Sequence, residues 1–290
     1  MNMENKIQEM VKFGEMTLSE AGIENAKAES EMLLGHVLQK SKLKMYMDFN
    51  MIIPSEKKEI YKGLLRERAK RRPLQYILQQ TDFHGLEFKV TEAVLVPRPE
   101  TEELVELALN YIGSRFDKEL KILDVGTGCG NIAVSIAKNS NICKVFAMDN
   151  SEEAIAVAKE NAENNGVAER INFLSRSIFD DYAELKNITG IIDVILSNPP
   201  YIPTDEIKNL MPEISQYEPF NALNGGADGL DHIKQILRVG NGLLEYKGTM
   251  IIEIGEGQDK MLKDYAAKYF SVDFQNDLAG KTRFLIAEKR

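Results

Sequence analysis

The spacing of apolar residues divides the chain into a first part with helical periodicity and a longer part with a mixed pattern. Over residues 2–72, apolar side chains recur every three or four positions, as they do on one face of a helix. The clearest stripes contain Met32, Leu33, Val37, Leu38, Ile60, Leu64 and Leu65. Ser55 is the expected N-cap of one helix, and Pro73 ends that helix. The pattern predicts a small helical bundle.

A different period follows the bundle. From residue 81 to residue 96 apolar and polar residues alternate around Gly85, which is typical of a hairpin of half-buried strands. After Pro99 a helical stripe continues to Gly113. The chain is therefore expected to divide into a helical domain at 1–75, a hairpin linker at 76–97 and a larger domain at 98–290.

Short apolar runs alternate with helical stretches in the larger domain. The runs lie at residues 122–125, 144–148, 171–174, 191–197 and 250–254. Strands that alternate with helices predict a mostly parallel α/β sheet with helices on both faces. In such sheets ligands bind outside the carboxyl ends of the strands, so candidate functional residues are sought there.

The first of these strands ends in a glycine-rich loop that leads directly into a helix. Gly126, Gly128 and Gly130 permit a tight turn and let the backbone approach a ligand at the helix N-terminus. The dinucleotide fingerprint has its third glycine one position later, where this chain has Asn131. A nucleoside without a pyrophosphate is therefore favoured, and S-adenosylmethionine fits that description.

An acidic residue ends the second strand. Asp149 lies about 20 residues beyond the glycines, where a carboxylate can accept hydrogen bonds from both ribose hydroxyls of a nucleoside. NAD also carries that ribose, so Asp149 indicates the adenosine and not the reaction. The alternative is that Asp149 only caps the helix that begins near Ser151. Cys129 has no His or Lys beside it and is interpreted as a small packed side chain.

The fourth strand ends in Asn198-Pro199-Pro200-Tyr201, and this loop indicates the chemistry. The two prolines make the loop rigid, and Pro200 removes an N–H donor. The side-chain oxygen of Asn198 and the carbonyl oxygen of Pro199 are then expected to accept both hydrogens of a substrate NH2 group. Tyr201 is expected to offer an aromatic face on which the planar group that carries this nitrogen can lie.

A conjugated NH2 group needs such help because its lone pair is delocalised into the neighbouring carbonyl or ring. Holding both hydrogens directs the nitrogen toward a methyl donor about 3 to 3.5 Å away, and the two acceptors stabilise positive charge as it forms. A strong base is unnecessary, since the proton can leave after transfer. The loop alone is therefore compatible with methylation of a side-chain amide or of an amino group on a DNA or RNA base.

Charge separates these substrates. The chain has 45 acidic and 36 basic residues, for a net charge of −9, so it is expected to be repelled by nucleic acid unless a local basic face intervenes. Five basic residues lie between Arg66 and Arg72, where they form either a docking face or a solvated helix end. Base methylation also requires base flipping and phosphate binding, for which no long insertion is visible.

At this point the chain resembles the peptide chain release factor glutamine methyltransferases, the PrmC or HemK family, over nearly its whole length. The motifs that carry the resemblance are Pro73-Leu74-Gln75-Tyr76-Ile77, Phe83-x-Gly85-x-x-Phe88, Val96-Pro97-Arg98-Pro99-Glu100-Thr101-Glu102, Asn198-Pro199-Pro200-Tyr201, Glu218-Pro219, Gly225-Gly226-x-Asp228-Gly229-Leu230, Glu253-Ile254-Gly255-x-x-Gln258 and Asp277-x-x-Gly280-x-x-Arg283.

The resemblance implies a class I S-adenosylmethionine-dependent methyltransferase, with a Rossmann-like, mostly parallel seven-stranded sheet, an N-terminal helical substrate-recognition domain and a hairpin linker. It implies methyl transfer to the glutamine amide nitrogen in the Gly-Gly-Gln tripeptide of class 1 release factors, with S-adenosylhomocysteine as product. The implied cofactor residues are Gly126, Thr127, Gly128, Cys129, Gly130, Asp149, Ile178 and Asn198. The implied substrate residues are Asn198, Pro199, Pro200 and Tyr201, of which Asn198, Pro199 and Tyr201 are assigned to catalysis.

One departure from the family pattern follows the third strand. The family commonly has an acidic residue before a hydrophobic one there, whereas this chain has Ser177 before Ile178. If that acid binds the adenine amino group in the family, this chain is expected to contact adenine through Ile178 and backbone atoms.

Three other functions stay open on the sequence. A sister enzyme methylates a glutamine of a ribosomal protein, a base methyltransferase acts on DNA or RNA, and a non-catalytic adaptor would keep the fold without the loop. No direct nucleic-acid partner is expected. Two cysteines and three histidines are too scattered for a metal site, and no apolar run approaches the roughly 18 residues that cross a bilayer. We expect a cytoplasmic protein.

Overall fold

The computed structural model describes residues 6–114 and 119–290 of the 290-residue chain. The start of the predicted bundle, residues 1–5, lies outside the described residues. By contact the chain groups into two units, one formed by Met1–Gln79 with Met211–Tyr217 and the other by Gln80–Leu210 with Glu218–Arg290. Within the described ranges, no helix is both long and apolar enough to cross a membrane.

The helices are α1 (Ile7–Glu20), α2 (Ala26–Leu38), α3 (Lys42–Met47), α4 (Ser55–Ala69), α5 (Leu74–Leu78), α6 (Pro99–Gly113), α7 (Asn131–Asn139), α8 (Glu152–Asn164), α9 (Tyr182–Thr189), α10 (Pro212–Ser215), α11 (Phe220–Leu223), α12 (Asp231–Leu243) and α13 (Asp259–Ala266). The strands are β1 (Gln80–Phe83), β2 (Leu86–Lys89), β3 (Leu120–Val125), β4 (Cys143–Asp149), β5 (Ile171–Ser175), β6 (Ile192–Ser197), β7 (Leu244–Glu253), β8 (Phe270–Asn276) and β9 (Thr282–Lys289). Short 3-10 turns lie at Ala168–Arg170 and Thr204–Asn209.

A seven-stranded sheet with the order β5-β4-β3-β6-β7-β9-β8 forms the centre of the second unit. Neighbours from β5 to β7 pair in parallel, and β9 is antiparallel to both β7 and β8. The predicted mostly parallel α/β fold is confirmed. The five apolar runs correspond to β3 to β7. The sequence analysis did not locate β8 and β9. β8 is an antiparallel edge strand without a continuous apolar run, whereas β9 has such a run at 284–287 that was overlooked. The β1–β2 hairpin pairs separately.

The carboxyl ends of β4, β3 and β6 lie side by side, because β3 pairs with β4 on one side and with β6 on the other. The order along the sheet reverses direction at β3, which is the point where parallel sheets bind ligands. The glycine loop, Asp149 and Asn198 follow these three strands. The topology therefore brings three separate sequence signals to one edge of the sheet.

The first unit packs α1, α2 and α4 around an apolar core, as the helical periodicity predicted. Ser55 is not the N-cap of α4, which was the expectation. Pro54 holds that position without a side-chain hydrogen bond, and Ser55 is the first helical residue. The helix starts one residue earlier than expected because Pro54, with φ of −56° and ψ of 143°, has the extended backbone that an N-cap residue adopts.

The basic run from Arg66 to Arg72, at the end of α4, is partly buried inside the first unit. The guanidinium of Arg68 contacts the carboxylates of Glu29 and Glu213, and Arg71 Nη2 lies 2.8 Å from the other oxygen of Glu213. Tyr217 donates to the carbonyl oxygen of Lys70. These bonds explain why Met211–Tyr217, which the sequence analysis placed in the larger domain, groups with the helices. For Arg68 neither a docking face nor a solvated helix end describes the structure.

Candidate active site

A cavity of about 350 Å³ lies at the carboxyl ends of β3, β4 and β6, and all its walls belong to the second unit. Its volume is within the range of small-molecule sites. Among the predicted site residues, those that line it are Gly126, Thr127, Gly128, Cys129, Asp149, Ile178, Asn198, Pro199 and Pro200. Gly130 and Tyr201 do not line the cavity within the described part of the chain.

The glycine loop needs its glycines for two different reasons. Gly126 and Gly128 have φ of 73° and 55°, in the left-handed region that favours glycine. Apart from their chain neighbours, nothing in the described part of the chain lies within 4 Å of where a Cβ would be. Gly130 has φ of 84° and packs against α8, where a Cβ would lie 3.1 Å from the Cβ of Ala158. The first two glycines therefore keep the cavity wall open, and the third allows close packing of helices.

Four backbone N–H groups of the loop are already bonded within the protein. Those of Gly126 and Thr127 donate to the carbonyl oxygen of Met148, and that of Gly130 donates to Thr127. Gly128 N donates to Asp149 Oδ2 at 2.9 Å. These bonds disfavour a phosphate cradle of the kind that binds dinucleotides, in agreement with the missing glycine at position 131.

Asp124 holds this loop in place, and the sequence analysis did not single it out. It is fully buried at the end of β3, and its Oδ2 accepts hydrogen bonds from Thr127 Oγ1 at 2.6 Å and from the backbone of Ala133 at 3.2 Å. Burial raises the pKa of Asp124 to about 7. A carboxyl group between a strand end and the first turn of α7 thus fixes both ends of the glycine loop.

Asp149 faces the cavity with both carboxylate oxygens held by backbone. Its Oδ2 accepts from Gly128 N, and its Oδ1 accepts from Ser151 N at 3.0 Å. Ser151, not Asp149, is the N-cap of α8, because its hydroxyl accepts from Ala154 N. Each carboxylate oxygen has a second lone pair, so Asp149 keeps the capacity to accept from the two hydroxyls of a ribose.

The segment after β5 forms another wall. Ile178 is buried and lines the cavity, and its backbone carbonyl oxygen accepts from Gln235 Nε2 at 2.9 Å, which holds this part of the backbone in place. Ser177 also lines the cavity, and its N–H donates to Asp180 at 2.8 Å. His232 lines the same cavity and contacts Phe179 edge to face.

The loop after β6 presents two acceptors side by side. Ser197 anchors it by donating to the carbonyl oxygen of Val125 at 2.6 Å. Asn198 is half-buried and Pro199 is buried, and both line the cavity. Within the described ranges of the chain, neither Asn198 Oδ1 nor the Pro199 carbonyl oxygen accepts a protein hydrogen bond. These are the two oxygens that the sequence analysis assigned to an NH2 group.

Tyr201 is turned away from the cavity toward the end of β7. Its hydroxyl donates to Glu253 Oε1 at 3.2 Å, and its carbonyl oxygen accepts from Gln258 Nε2 at 2.9 Å. Gly229 permits this arrangement, since a Cβ there would lie 2.4 Å from the carbonyl oxygen of Tyr201. The glycine-rich and Gln258 motifs therefore hold the carboxyl side of the Asn198 loop. That Tyr201 supports the substrate with its ring stays a prediction.

Two residues without an assigned role complete the site. Asn198 Nδ2 donates to Thr101 Oγ1 at 2.9 Å, and Thr101 Oγ1 donates to Glu253 Oε2 at 2.7 Å. Thr101 and Glu253 are each 1% exposed. The sequence analysis noted the motifs that contain Thr101 and Glu253 but assigned neither residue a role. The sequence offered one signal, the position of the acidic Glu253 at the end of an apolar strand. Within the described parts of the chain, no group of three or more metal-binding side chains is present.

Comparison with known proteins agrees with this geometry. A family model described as PrmC N-terminal domain matches residues 9–78, and one described as Methyltransferase domain matches residues 116–269. In solved structures, the hMettl16 catalytic domain in complex with MAT2A 3′UTR hairpin 6 is similar in fold, with a TM-score of 0.57 and 18% identity, and the match covers 78% of this chain and 81% of that chain.

Several curated relatives carry one name, Release factor glutamine methyltransferase. That of Geobacter sulfurreducens is 40% identical over 83% of this chain and 81% of its own length. The relative from Thermodesulfovibrio yellowstonii is 38% identical over 90% and 92% of the two chains, and that from Bacillus anthracis is 34% identical over 98% and 99%. The resemblance inferred from the motifs is confirmed: the chain belongs to the release factor glutamine methyltransferase family.

Proposed function

We propose that the protein transfers a methyl group from S-adenosylmethionine to the side-chain amide nitrogen of the glutamine in the Gly-Gly-Gln tripeptide of class 1 release factors. The observation that carries the proposal is the pair of unoccupied acceptor oxygens, on Asn198 and Pro199, in the wall of the cavity. The family membership of the chain supports the same reaction. The helical domain at 1–75 would then serve substrate recognition, with the hairpin at 76–97 as the linker.

The cavity residues fit S-adenosylmethionine better than a dinucleotide. Four loop N–H groups, those of Gly126, Thr127, Gly128 and Gly130, are bonded within the protein, which leaves fewer donors in the loop for a pyrophosphate. Asp149 would accept hydrogen bonds from the ribose hydroxyls, and Ile178 would contact the adenine. Residues 126–129 would line the part of the cavity that takes the methionine portion of the cofactor. When bound, S-adenosylmethionine supplies an electrophilic methyl group on a sulfonium sulfur.

The Asn198 loop would make the glutamine nitrogen reactive. Asn198 Oδ1 and the Pro199 carbonyl oxygen would each accept one hydrogen of the substrate NH2 group, so the remaining direction of the nitrogen is free for bond formation. Both oxygens carry partial negative charge and stabilise the positive charge that develops on nitrogen. The proton would leave after transfer, because the methylated and positively charged nitrogen is acidic. Asn198, Pro199 and Tyr201 are our candidate catalytic residues.

The cysteine in the glycine loop has no place in this chemistry. Cys129 is buried, and burial raises the pKa of its thiol to about 12. The side chain therefore stays a neutral thiol in the physiological range. It contributes to the cavity wall through packing, while its carbonyl oxygen accepts from Asn161 Nδ2 at 2.8 Å.

The proposal is tested by methyl transfer from labelled S-adenosylmethionine to an unmethylated class 1 release factor. Matched reactions contain the same factor with Gln→Glu in its Gly-Gly-Gln tripeptide, a ribosomal protein mixture, or duplex DNA. We expect label in the release factor and none in its variant. Label only in ribosomal protein or only in DNA would refute the proposed substrate, and absence of label from every substrate would refute the activity.

A further inference from the structure

We propose that Thr101 and Glu253 are positioning residues that fix the direction of the Asn198 side-chain amide, so that its oxygen and not its NH2 group faces the substrate. The inference rests on the proposed function of Asn198. It assigns a task to two buried residues that do not themselves contact the substrate nitrogen.

The three side chains form one hydrogen-bonded row. Asn198 Nδ2 lies 2.9 Å from Thr101 Oγ1, which lies 2.7 Å from Glu253 Oε2. The row connects the loop after β6 with the first turn of α6 and the last residue of β7. Thr101 lines the cavity, whereas Glu253 lies behind it. The row therefore runs from the buried end of β7 to the reactive loop.

The direction of the row follows from the number of protons on a hydroxyl group. An ionised carboxylate only accepts, so the single hydroxyl proton of Thr101 points to Glu253. The Thr101 oxygen is then limited to accepting on its other side, and only the NH2 group of Asn198 can donate to it. Asn198 Oδ1 is left for the cavity. With the opposite orientation, an NH2 group would face the substrate NH2 and neither could accept.

Glu253 is held by a second donor, the Tyr201 hydroxyl, on its other oxygen. This bond further favours the ionised carboxylate, because both of its oxygens then serve as acceptors. It also explains why Tyr201 is turned toward β7. The Asn198 loop is thus connected to Glu253 at both ends, through Thr101 from Asn198 and directly from Tyr201.

The row is expected to respond to pH. Burial raises the pKa of Glu253 to about 7, and the negative charge of Glu100 on α6 raises it further. The hydrogen bonds from Thr101 and Tyr201 and the positive charge of Arg283 on β9 act in the opposite direction and lower the pKa. The Tyr201 hydroxyl stays neutral, because burial and the Glu253 charge raise its pKa. A protonated Glu253 can donate to Thr101, which frees the hydroxyl proton to bond Asn198 Oδ1 and lets the amide turn over. Turnover should therefore rise with pH through about 7.

The test compares Thr101→Ser, Thr101→Val and Glu253→Gln with the wild type. Serine keeps the hydroxyl, whereas valine has nearly the same shape without it. We expect T101S to retain kcat within about threefold and T101V to lose about tenfold or more, which is the scale of a misdirected polar group at a reacting centre. The dissociation constant for S-adenosylmethionine should stay unchanged in both, since the row acts on the substrate amide.

Glu253→Gln provides the second readout. Its NH2 group can donate to Thr101, so we expect a lower kcat that no longer changes with pH between about 6 and 8. Asp124, whose pKa is also about 7, is intact in this variant and serves as an internal control. If kcat of E253Q still rises with pH in this range, the titrating group is Asp124 and not Glu253, and the inference is overturned.

The outcomes separate this inference from the proposed function. If the wild type fails to methylate the release factor, the proposed function falls first. If the wild type is active and T101V has the kcat of T101S, the positioning role is refuted while the function stands. Circular dichroism and S-adenosylmethionine binding show whether each variant is folded. A loss confined to kcat in a folded, cofactor-binding variant supports the inference.

Discussion

Each unit contains a hydrogen-bonded network around a tyrosine, and the two networks differ in the kind of acceptor at which they end. In the helical unit, Tyr61 Oη lies 2.8 Å from Ser30 Oγ and 3.2 Å from the carbonyl oxygen of Met10, and Ser30 donates to the carbonyl oxygen of Val11. Every acceptor in that network is neutral. The bonds join α1, α2 and α4, and they hold the bundle together.

The network of the second unit instead ends on a titratable group. Tyr201 and Thr101 both donate to Glu253, and the row continues to Asn198 in the cavity wall. A neutral network holds helices at any ordinary pH, since burial raises the pKa of Tyr61 far above neutrality. A network that ends on a carboxylate has a direction and depends on proton concentration. The comparison indicates that burial of similar side chains serves stability in one unit and orientation in the other.

The largest effect is expected at Asn198, where the network of the second unit reaches the cavity. Asn198→Ala should lower kcat for release factor methylation by two or more orders of magnitude, because one of the two acceptors for the NH2 group is lost. Binding of S-adenosylmethionine should persist, and the melting temperature should change little. Steady-state kinetics beside calorimetric cofactor titration would measure both. Unchanged turnover in this variant would refute our assignment of the active site.

The second prediction concerns stability against pH. The pKa of Glu253 is about 7 in the folded protein against an ordinary value of 4.5, so the folded state keeps a proton that the unfolded chain releases in this interval. The free energy of unfolding should therefore fall as the pH rises from about 5 to 8, by up to about 3 kcal/mol from this group.

Urea unfolding followed by circular dichroism at several pH values would measure this dependence in the wild type and in Glu253→Gln. The variant should lose part of the slope and keep the part that comes from Asp124, whose pKa is raised in the same direction. Parallel pH curves for the two proteins would show that Glu253 does not titrate in this range.

The third prediction tests the packing of the neutral network. A Cβ on Gly14 of α1 would lie 1.9 Å from Tyr61 Oη and 2.5 Å from Ser30 Oγ, so Gly14→Ala should cost about 1–3 kcal/mol of stability. Gly63→Ala in α4 is the matched control. Apart from the backbone of α4 itself and the chain neighbours, no atom of the described residues lies within 4 Å of a Cβ there, so this change should stabilise the protein by up to about 1 kcal/mol. Thermal denaturation of both variants would decide, and a loss in both would mean that the space around Gly14 is not the cause.

The smallest effect is expected from removing one hydroxyl in each network. Tyr61→Phe should cost about 1 kcal/mol of stability and leave the pH profile of kcat unchanged. Tyr201→Phe removes a bond that lowers the pKa of Glu253, so its kcat should rise with pH at a higher midpoint than in the wild type. A shift of the midpoint in the Tyr61 variant, or none in the Tyr201 variant, would contradict the distinction between the two networks.

Much of the site could be predicted because its signals are local. Gly126, Gly128, Asp149 and Asn198 each follow a recognisable strand, and the order of parallel strands brings their ends together. The apolar runs identified those strands. The local sequence pattern was sufficient to place a residue at the cavity wherever its position depends only on the end of its own strand.

The roles that were missed depend on partners far along the chain. Thr101 and Glu253 are separated by 152 positions, and each looks like an ordinary helix or strand residue until the fold brings them together. The bond from the Tyr201 hydroxyl to Glu253 joins residues 52 positions apart, and the loop motif gave no sign of it. Glu213 lies 145 positions from Arg68, so nothing in the basic run itself indicated that Arg68 is buried in an ion pair. Periodicity and motif spacing contain no information on such pairings.

The most direct test of the account is to locate the transferred methyl group by tandem mass spectrometry. An unmethylated class 1 release factor is treated with the wild type, with Thr101→Ser and with Asn198→Ala. We predict one added methyl group on the glutamine side-chain nitrogen of the Gly-Gly-Gln tripeptide with the first two proteins and none with the third. A methyl group on any other residue, or equal methylation by the Asn198 variant, would contradict the role of the Asn198 loop as the site that holds the glutamine amide.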